Sequence, residues 1–277
     1  METAANFIGK SSKWLVIVAA ALVFFGWLMV TPSGLFGKAD AVGYAVCHRI
    51  DVRSFHVDGR ALPLCARCSG MYLGAVLGLG FQWLAGRRRT GVPPWTVIAP
   101  LALLVVAFGV DGSNSYLYLL KETQPGALAG IPNLYVPNNT LRLFTGSGMG
   151  LAMAAALFPA FNQTVWRDRE VRPALDGLKP FGLLLLLTLV LDLLVLTESP
   201  VVLYPAALIS AGGVLALLSM VYSVVWVTIM KKDNQYENLT ELWLPLVAGF
   251  TIAVLQIAAI DLFRFWLTGT WGEFPLG

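Results

Sequence analysis

Apolar residues along this chain gather into runs near 20 residues long, and the polar residues between them form short connections. A helix of about 20 apolar residues crosses the roughly 30 Å hydrocarbon core of a bilayer. Seven runs have that length and predict spans at about 14–30, 69–84, 95–110, 141–161, 181–197, 202–230 and 242–267. Trp14, Trp27, Trp83, Trp95, Trp243 and Trp266 fall near the ends of these runs, as an interfacial belt requires. The first run follows Lys10 and Lys13 in the manner of a secretory signal. Its apolar stretch exceeds the 7–15 residues of a signal core, so it predicts an anchor helix.

Composition removes the soluble alternative. Hydrophobic residues make up 57% of the 277 and charged residues 13%, against about 25% charged in a soluble domain. The fold class that follows is all-α, a polytopic transmembrane helical bundle with residues 1–277 forming a single transmembrane domain. Net charge is +3, too small and too scattered for nucleic acid. The partner implied is the lipid bilayer, and oligomeric state is not legible.

With seven spans, one side of the membrane holds the N-terminus and the connections 85–94, 162–180 and 231–241. That side carries Lys10, Lys13, Arg87, Arg88, Arg89, Arg167, Arg169, Arg172, Lys179, Lys231 and Lys232, which is 11 of the 19 basic residues. The excess predicts the N-terminus in the cytoplasm and the C-terminus outside, in the inner (plasma) membrane of a cell. The long connections 31–68 and 111–140 then share the extracytoplasmic side.

All three cysteines and both histidines lie within the 22 residues 47–68. Cys65 and Cys68 form a C-x-x-C pair, whose spacing lets two thiolates face one ion. Cys47 and one histidine would complete a Cys3His set. His56 is the better fourth ligand, because His48 adjoins Cys47 and adjacent side chains usually point apart. Zinc suits these ligands, and iron is compatible with them. A closed set of four would be structural, and an open position would indicate catalysis. Two other readings stand beside this one. Cys65 and Cys68 can form a redox or structural disulfide, or the cysteines can be small buried residues at a helix start. A c-type haem site is disfavoured, because Ser69 and not histidine follows Cys68.

The run from Cys47-His48 through Arg53-Ser54-Phe55, Gly59 and Pro63-Leu64-Cys65-Ala66-Arg67-Cys68-Ser69-Gly70-Met71-Tyr72-Leu73-Gly74 resembles the signature of an uncharacterised family of prokaryotic polytopic membrane proteins. That family is marked by a Cys-His…Cys-Ala-Arg-Cys pattern. Asp111-Gly112 and Asn138-Asn139-Thr140-Leu141-Arg142-Leu143-Phe144-Thr145-Gly146 resemble its further motif blocks, and the likeness covers residues 44–150. The resemblance implies a multi-span membrane protein and brings no activity with it.

Ionisable residues in lipid are costly and usually face a protein interior or a water-filled cavity. Asp111, Arg142, Asp192, Glu198, Asp261 and Arg264 all fall toward the membrane face that bears the Cys/His segment and Arg67. This convergence predicts an outward-facing polar pocket roofed by residues 31–68. Asp111 with Arg142, or Asp261 with Arg264, can equally serve as helix fasteners. Asp192 has no basic neighbour in sequence, so its partner comes from another helix or it stays protonated. Asn138, Asn139 and Arg142 at a helix start can hold a phosphate or carboxylate, and Asn139 reads with equal weight as a simple N-cap.

Gly70, Gly74 and Gly78 form a G-x-x-x-G ridge, and Gly146 and Gly150 form another, both read as helix-packing faces. Three functional classes remain. The first is a metal site beside a charged pocket, acting on an anionic or lipid-linked substrate. In it Asp111 or Asp192 is the acid/base, and Arg67, Asn138, Asn139, Arg142, Asp261 and Arg264 surround the ligand. The second is a thiol–disulfide oxidoreductase that uses Cys65 and Cys68 with a quinone. The third is an accessory subunit of a membrane complex. A transporter is disfavoured, since no inverted repeat is visible.

Overall fold

Seven helices long and apolar enough to cross a membrane follow one another along the chain, at Lys13–Val30, Ala66–Ala85, Trp95–Thr123, Asn139–Val165, Leu178–Val195, Pro200–Ile229 and Leu239–Thr268. The structure is a computed structural model describing residues 2–272 except 125, 127 and 129, with the backbone alone for 2–12. Lys10, one of the orientation signals, therefore lies outside the described side chains. The described residues form eight α-helices: α1 (Glu2–Val30), α2 (Gly34–Val46), α3 (Ala66–Ala85), α4 (Trp95–Thr123), α5 (Asn139–Val165), α6 (Leu178–Val195), α7 (Pro200–Ile229) and α8 (Trp243–Thr268).

Two departures from the expected spans matter for the site. The connection 31–68 contains α2, whose 13 residues rise only about 20 Å, too little to span. α2 lies at the end of the bundle against α7 and α8. The other departure is the third span. Its apolar run predicts an end at 110, but α4 continues to Thr123. Asp111, Asn114 and Ser115 are buried on it, because their polar side chains find partners across the bundle and the backbone has no reason to unwind. Asp111 is thus a mid-helix residue.

The most extensive contact in the molecule is between α3 and α5, and its cause is glycine. A Cβ at Gly70 or Gly74 would collide with the carbonyl oxygen of Leu143 or Ser147, and one at Gly146 or Gly150 with that of Arg67 or Met71. The two backbones touch directly, as small-residue ridges allow in membranes.

The connections sort onto two ends. At one end β3 (Arg89–Gly91) pairs in parallel with β4 (Glu170–Pro173). Trp166 bridges to Tyr236 there, and the Arg167 N–H donates to the Tyr236 carbonyl at 3.0 Å. At the other end residues 31–65 fold over the helix termini. There β1 (His56–Val57) and β2 (Arg60–Ala61) form a hairpin around Asp58-Gly59, both at positive φ, a dipeptide suited to the tight primed turn.

Gly150→Ala is expected to cost about 1–3 kcal/mol through overpacking of the α3–α5 contact, read as a lower thermal midpoint in detergent. Gly80→Ala, whose Cβ meets open space, should leave the midpoint unchanged or slightly raised. Equal midpoints for both variants would contradict the direct backbone contact.

Candidate functional site

The end of the bundle covered by residues 31–65 holds the chemistry. A Cβ at Gly43 would collide with the Pro63 carbonyl, so the last turn of α2 lies directly on the chain just before Cys65. This contact brings Cys47, which follows α2, to the start of α3, where Cys65 is the N-cap and Cys68 sits in the first turn. The sulfurs of Cys47, Cys65 and Cys68 all lie within 4.8 Å of one another, and all three are free thiols. Cys47 is buried, while Cys65 and Cys68 are half-buried.

Two backbone N–H groups donate to the Cys47 Sγ, from Cys65 at 3.4 Å and from Arg49 at 3.5 Å. Arg49 reaches that position through a positive φ. Hydrogen bonding with Cys65, aided by burial, pushes the Cys47 thiol up to about 12. The same contact with Cys47 holds Cys65 well below the usual thiol range, and Arg67 adds to that effect.

One flank of the cluster is largely apolar. Cys47 and Leu64 belong to a core with Trp27, Val42, Val214 and Ile257, and Cys65, Cys68 and Tyr72 pack against it. A cavity of about 280 Å³ opens beside Cys47, lined by Tyr44, Ala45, Val46, His48 and Arg264. Arg264 stands 4.0 Å over the Tyr44 ring and donates to the carbonyls of Cys47 at 2.6 Å and His48 at 3.3 Å. It ties α8 to the segment that carries Cys47.

The other flank is charged. Arg67 Nε donates to Asp111 Oδ2 at 3.0 Å, and its Nη2 reaches the same oxygen and Ser115 Oγ at 2.9 Å. Asp111 also accepts from Tyr135 at 2.8 Å and Thr145 at 3.3 Å. Burial, followed by the bond to Asp111, pushes the Tyr135 phenol up to about 12. Asn138 caps α5 by accepting from the Leu141 N–H at 2.8 Å, so the cap is Asn138 and not Asn139. Asn139 instead accepts from Arg142 Nη1 at 2.8 Å and donates to the carbonyls of Val52 and Ser54, each at 3.4 Å.

The structure thus brings Cys47, Cys65, Cys68, Arg67, Asp111, Asn139 and Arg142 to one end of the bundle. It does not bring His56 to the sulfurs. His56 lies on the hairpin, its Nε2 2.6 Å from Asp51 Oδ1, and the mutually close ligand set contains neither histidine. The hairpin turn swings His56 outward in favour of a carboxylate nearer in sequence. Asp111, expected as an acid or base, accepts hydrogen bonds from Arg67, Tyr135 and Thr145. Asp192 is buried and accepts from Ser147 at 2.6 Å, across the α5–α6 contact. Asp261 is buried and accepts from the Trp27 indole at 3.3 Å. Arg53, on the short 3-10 helix Asp51–Arg53, joins the charged flank by donating to the Ser115 carbonyl at 3.3 Å. Its signals in the sequence are its proximity to Cys47 and its place in the run that resembles the family signature.

Residues 47–156 match the family described as predicted membrane protein (DUF2085). An uncharacterized protein of Methanothermobacter thermautotrophicus is 31% identical over 110 residues, which is 39% of this chain and 82% of that protein. An uncharacterized protein of Methanocaldococcus jannaschii is 27% identical over 168 residues, 56% of this chain and 96% of its own length. No solved structure matches. The chain belongs to this membrane-protein family, and the matched segment holds the three cysteines together with Arg53, Arg67, Asp111 and Arg142.

Asp111→Leu is expected to destabilise by about 3–5 kcal/mol, because it leaves the Arg67 guanidinium without its carboxylate. Adding Arg67→Met should recover part of that loss. Chemical unfolding of the single and double variants in detergent checks this, and strictly additive losses would contradict the pairing.

Proposed function

We propose that this member of the DUF2085 family holds one transition-metal ion, zinc by ligand chemistry, on Cys47, Cys65 and Cys68 at the extracytoplasmic face of the inner membrane. Three sulfurs within 4.8 Å of one another carry the proposal. Zinc takes thiolates in a tetrahedral set, and three protein ligands leave a fourth position open. Iron(II) suits the same ligands. The N–H groups of Arg49 and Cys65 directed at the Cys47 Sγ would stabilise that sulfur as a thiolate once an ion displaces its proton. Three ionised thiols at this spacing repel one another, and a divalent cation removes that conflict.

His48 borders the cavity beside Cys47 and is the histidine within reach of a fourth role, in place of His56. With the ion present, the open position supplies Lewis-acid chemistry to a ligand oxygen or water. The charged flank formed by Arg53, Arg67, Asn139 and Arg142 adjoins the cluster and suits an anionic or lipid-linked substrate. Asp192 is the acid of the set that has a hydroxyl partner and no cation among the described contacts, so proton transfer falls to it more readily than to Asp111. The excess of basic residues on the β3–β4 end supports an N-terminus in the cytoplasm.

A second reading is favoured by one observation. Cys65 is an N-cap, and Cys68 follows in the first turn of α3, where a helix terminus stabilises a thiolate. As a redox pair, the dithiol would pass two electrons and two protons to a quinone and close a Cys65–Cys68 disulfide.

Purified protein should contain about one zinc or iron per chain, lost in Cys65→Ser and retained in His56→Ala, by plasma mass spectrometry with free thiols counted in parallel. Cobalt(II) substitution should give a thiolate charge-transfer band that disappears in Cys47→Ser. Metal-free wild type with Cys65 and Cys68 oxidised would overturn the metal centre and favour the redox pair.

A further inference from the structure

The charged flank contains more positive charge than its own carboxylate can neutralise. Arg53, Arg67 and Arg142 come from three elements, the 3-10 turn, the start of α3 and the start of α5, and lie in one another's field together with Asp111 and Cys65. Asp111 is engaged by Arg67. Two guanidiniums, those of Arg53 and Arg142, remain beyond that pair, with Glu122 an exposed carboxylate near Arg53.

Their placement is built. The Asn139 amide donates to the carbonyls on either side of Arg53, which fixes Arg53 over the first turn of α5. Arg53 and Arg67 converge on Ser115 from its carbonyl and hydroxyl sides. Arg142 is only 6% exposed, yet its Nε has no hydrogen-bond partner among the described residues. A buried guanidinium N–H without an acceptor is costly. Arg49 and Arg89 also leave Nε without a hydrogen bond, but they pair with Asp40 and Glu170, whereas Arg142 has no ion pair among the described residues. Burial and the nearby Arg67 both work against the charge on Arg53. Both arginines lie near the amino end of a 27-residue helix, where unpaired backbone N–H groups favour negative charge.

We infer that Arg53 and Arg142, positioned by Asn139 and by the Arg67–Asp111 pair, bind a phosphate group carried as a free phosphate or a phosphomonoester headgroup. Guanidinium groups hold phosphate oxygens through paired N–H donors, and Arg53 and Arg142 supply two such groups beyond the Arg67–Asp111 pair. This deepens the reading of a charged pocket beside the cysteines by naming its ligand class and adding Arg53 to it. The phosphate contacts themselves involve no cysteine.

The experiment uses the full chain in phosphatidylcholine nanodiscs. Inorganic phosphate is titrated in one arm, and phosphatidic acid is incorporated in a second, with phosphatidylglycerol as a monoanionic comparison. Thermal midpoint and metal content are read on the same samples. A saturable rise in midpoint with either phosphate or phosphatidic acid is expected, weakened about tenfold or more in Arg53→Gln. Arg142→Gln should lose the response. Should that buried substitution fail to fold, Arg53→Gln, at a half-buried position, decides alone. A response to inorganic phosphate indicates a soluble ligand, and a response to phosphatidic acid alone indicates a lipid headgroup. No response to either probe, or an Arg53→Gln response equal to that of wild type, would overturn the inference. Metal retained without phosphate binding sinks this inference only, whereas phosphate binding by metal-free protein sinks the metal centre only.

Discussion

The α3 and α5 backbones meet along faces that have no side chains, and the position of nearly every polar group at the covered end follows from that contact. Gly146 lies against the Arg67 carbonyl and Gly150 against that of Met71, which fixes the axial register of the two helices. In that register the starts of α3 and α5 stand side by side, so Arg67 and Arg142 reach the same region and Asp111 on α4 can meet Arg67. Lipid supplies no hydrophobic drive for helix association, so close packing has to provide it. A larger residue on either ridge would part the helices and separate the two arginines.

The buried acids of the bundle are stabilised in three different ways. Asp111 has a guanidinium, a phenol and a hydroxyl, Asp192 has one hydroxyl, and Asp261 has one indole N–H. Desolvation makes an unpaired carboxylate expensive and a neutral carboxyl tolerable. Asp111 has a matched cation and is a fixed hub. Asp192 accepts from a neutral hydroxyl, and Asp261 accepts from an indole N–H with the charge of Arg264 nearby. The same residue type therefore meets a different donor on each helix.

Much of this architecture is legible in the amino-acid sequence. Run length specifies the seven spans, because a bilayer imposes one length on every crossing helix. Spacing reveals the glycine ridges and their role, and the clustering of cysteines points to one site. Other features lie beyond local signals. α2 is too short to register as a span and is held by contacts with α7 and α8, distant in sequence. Polar residues after Asp111 read as the end of a span, and only cross-helix partners keep α4 wound to Thr123. The preference for His56 as a ligand rests on adjacency, but the Asp58-Gly59 turn decides where that side chain points. Arg264 reads as a ligand-binding residue, and its bonds to the carbonyls beside Cys47 join residues too distant in sequence for a local signal.

The remaining question is whether the polar end exists only to fasten helices. A fastening role is served by satisfied pairs, and apolar side chains of similar size often serve it as well or better. Arg67 with Asp111 meets that description. Arg53 and Arg142 do not, since they add positive charge beside a pair that is already neutral, and Arg142 keeps a buried N–H without an acceptor. The cysteines fail the same test. Apolar residues of their size would pack at the start of α3 without two backbone N–H groups aimed at a sulfur. The two features that fastening leaves unexplained flank the same residue, Cys65, whose thiol has sulfur partners on one side and lies in the field of Arg53, Arg67 and Arg142 on the other. On the metal reading, three thiolates around a divalent ion would carry one net negative charge toward the arginines, and metal loading and anion binding would then act on one electrostatic field.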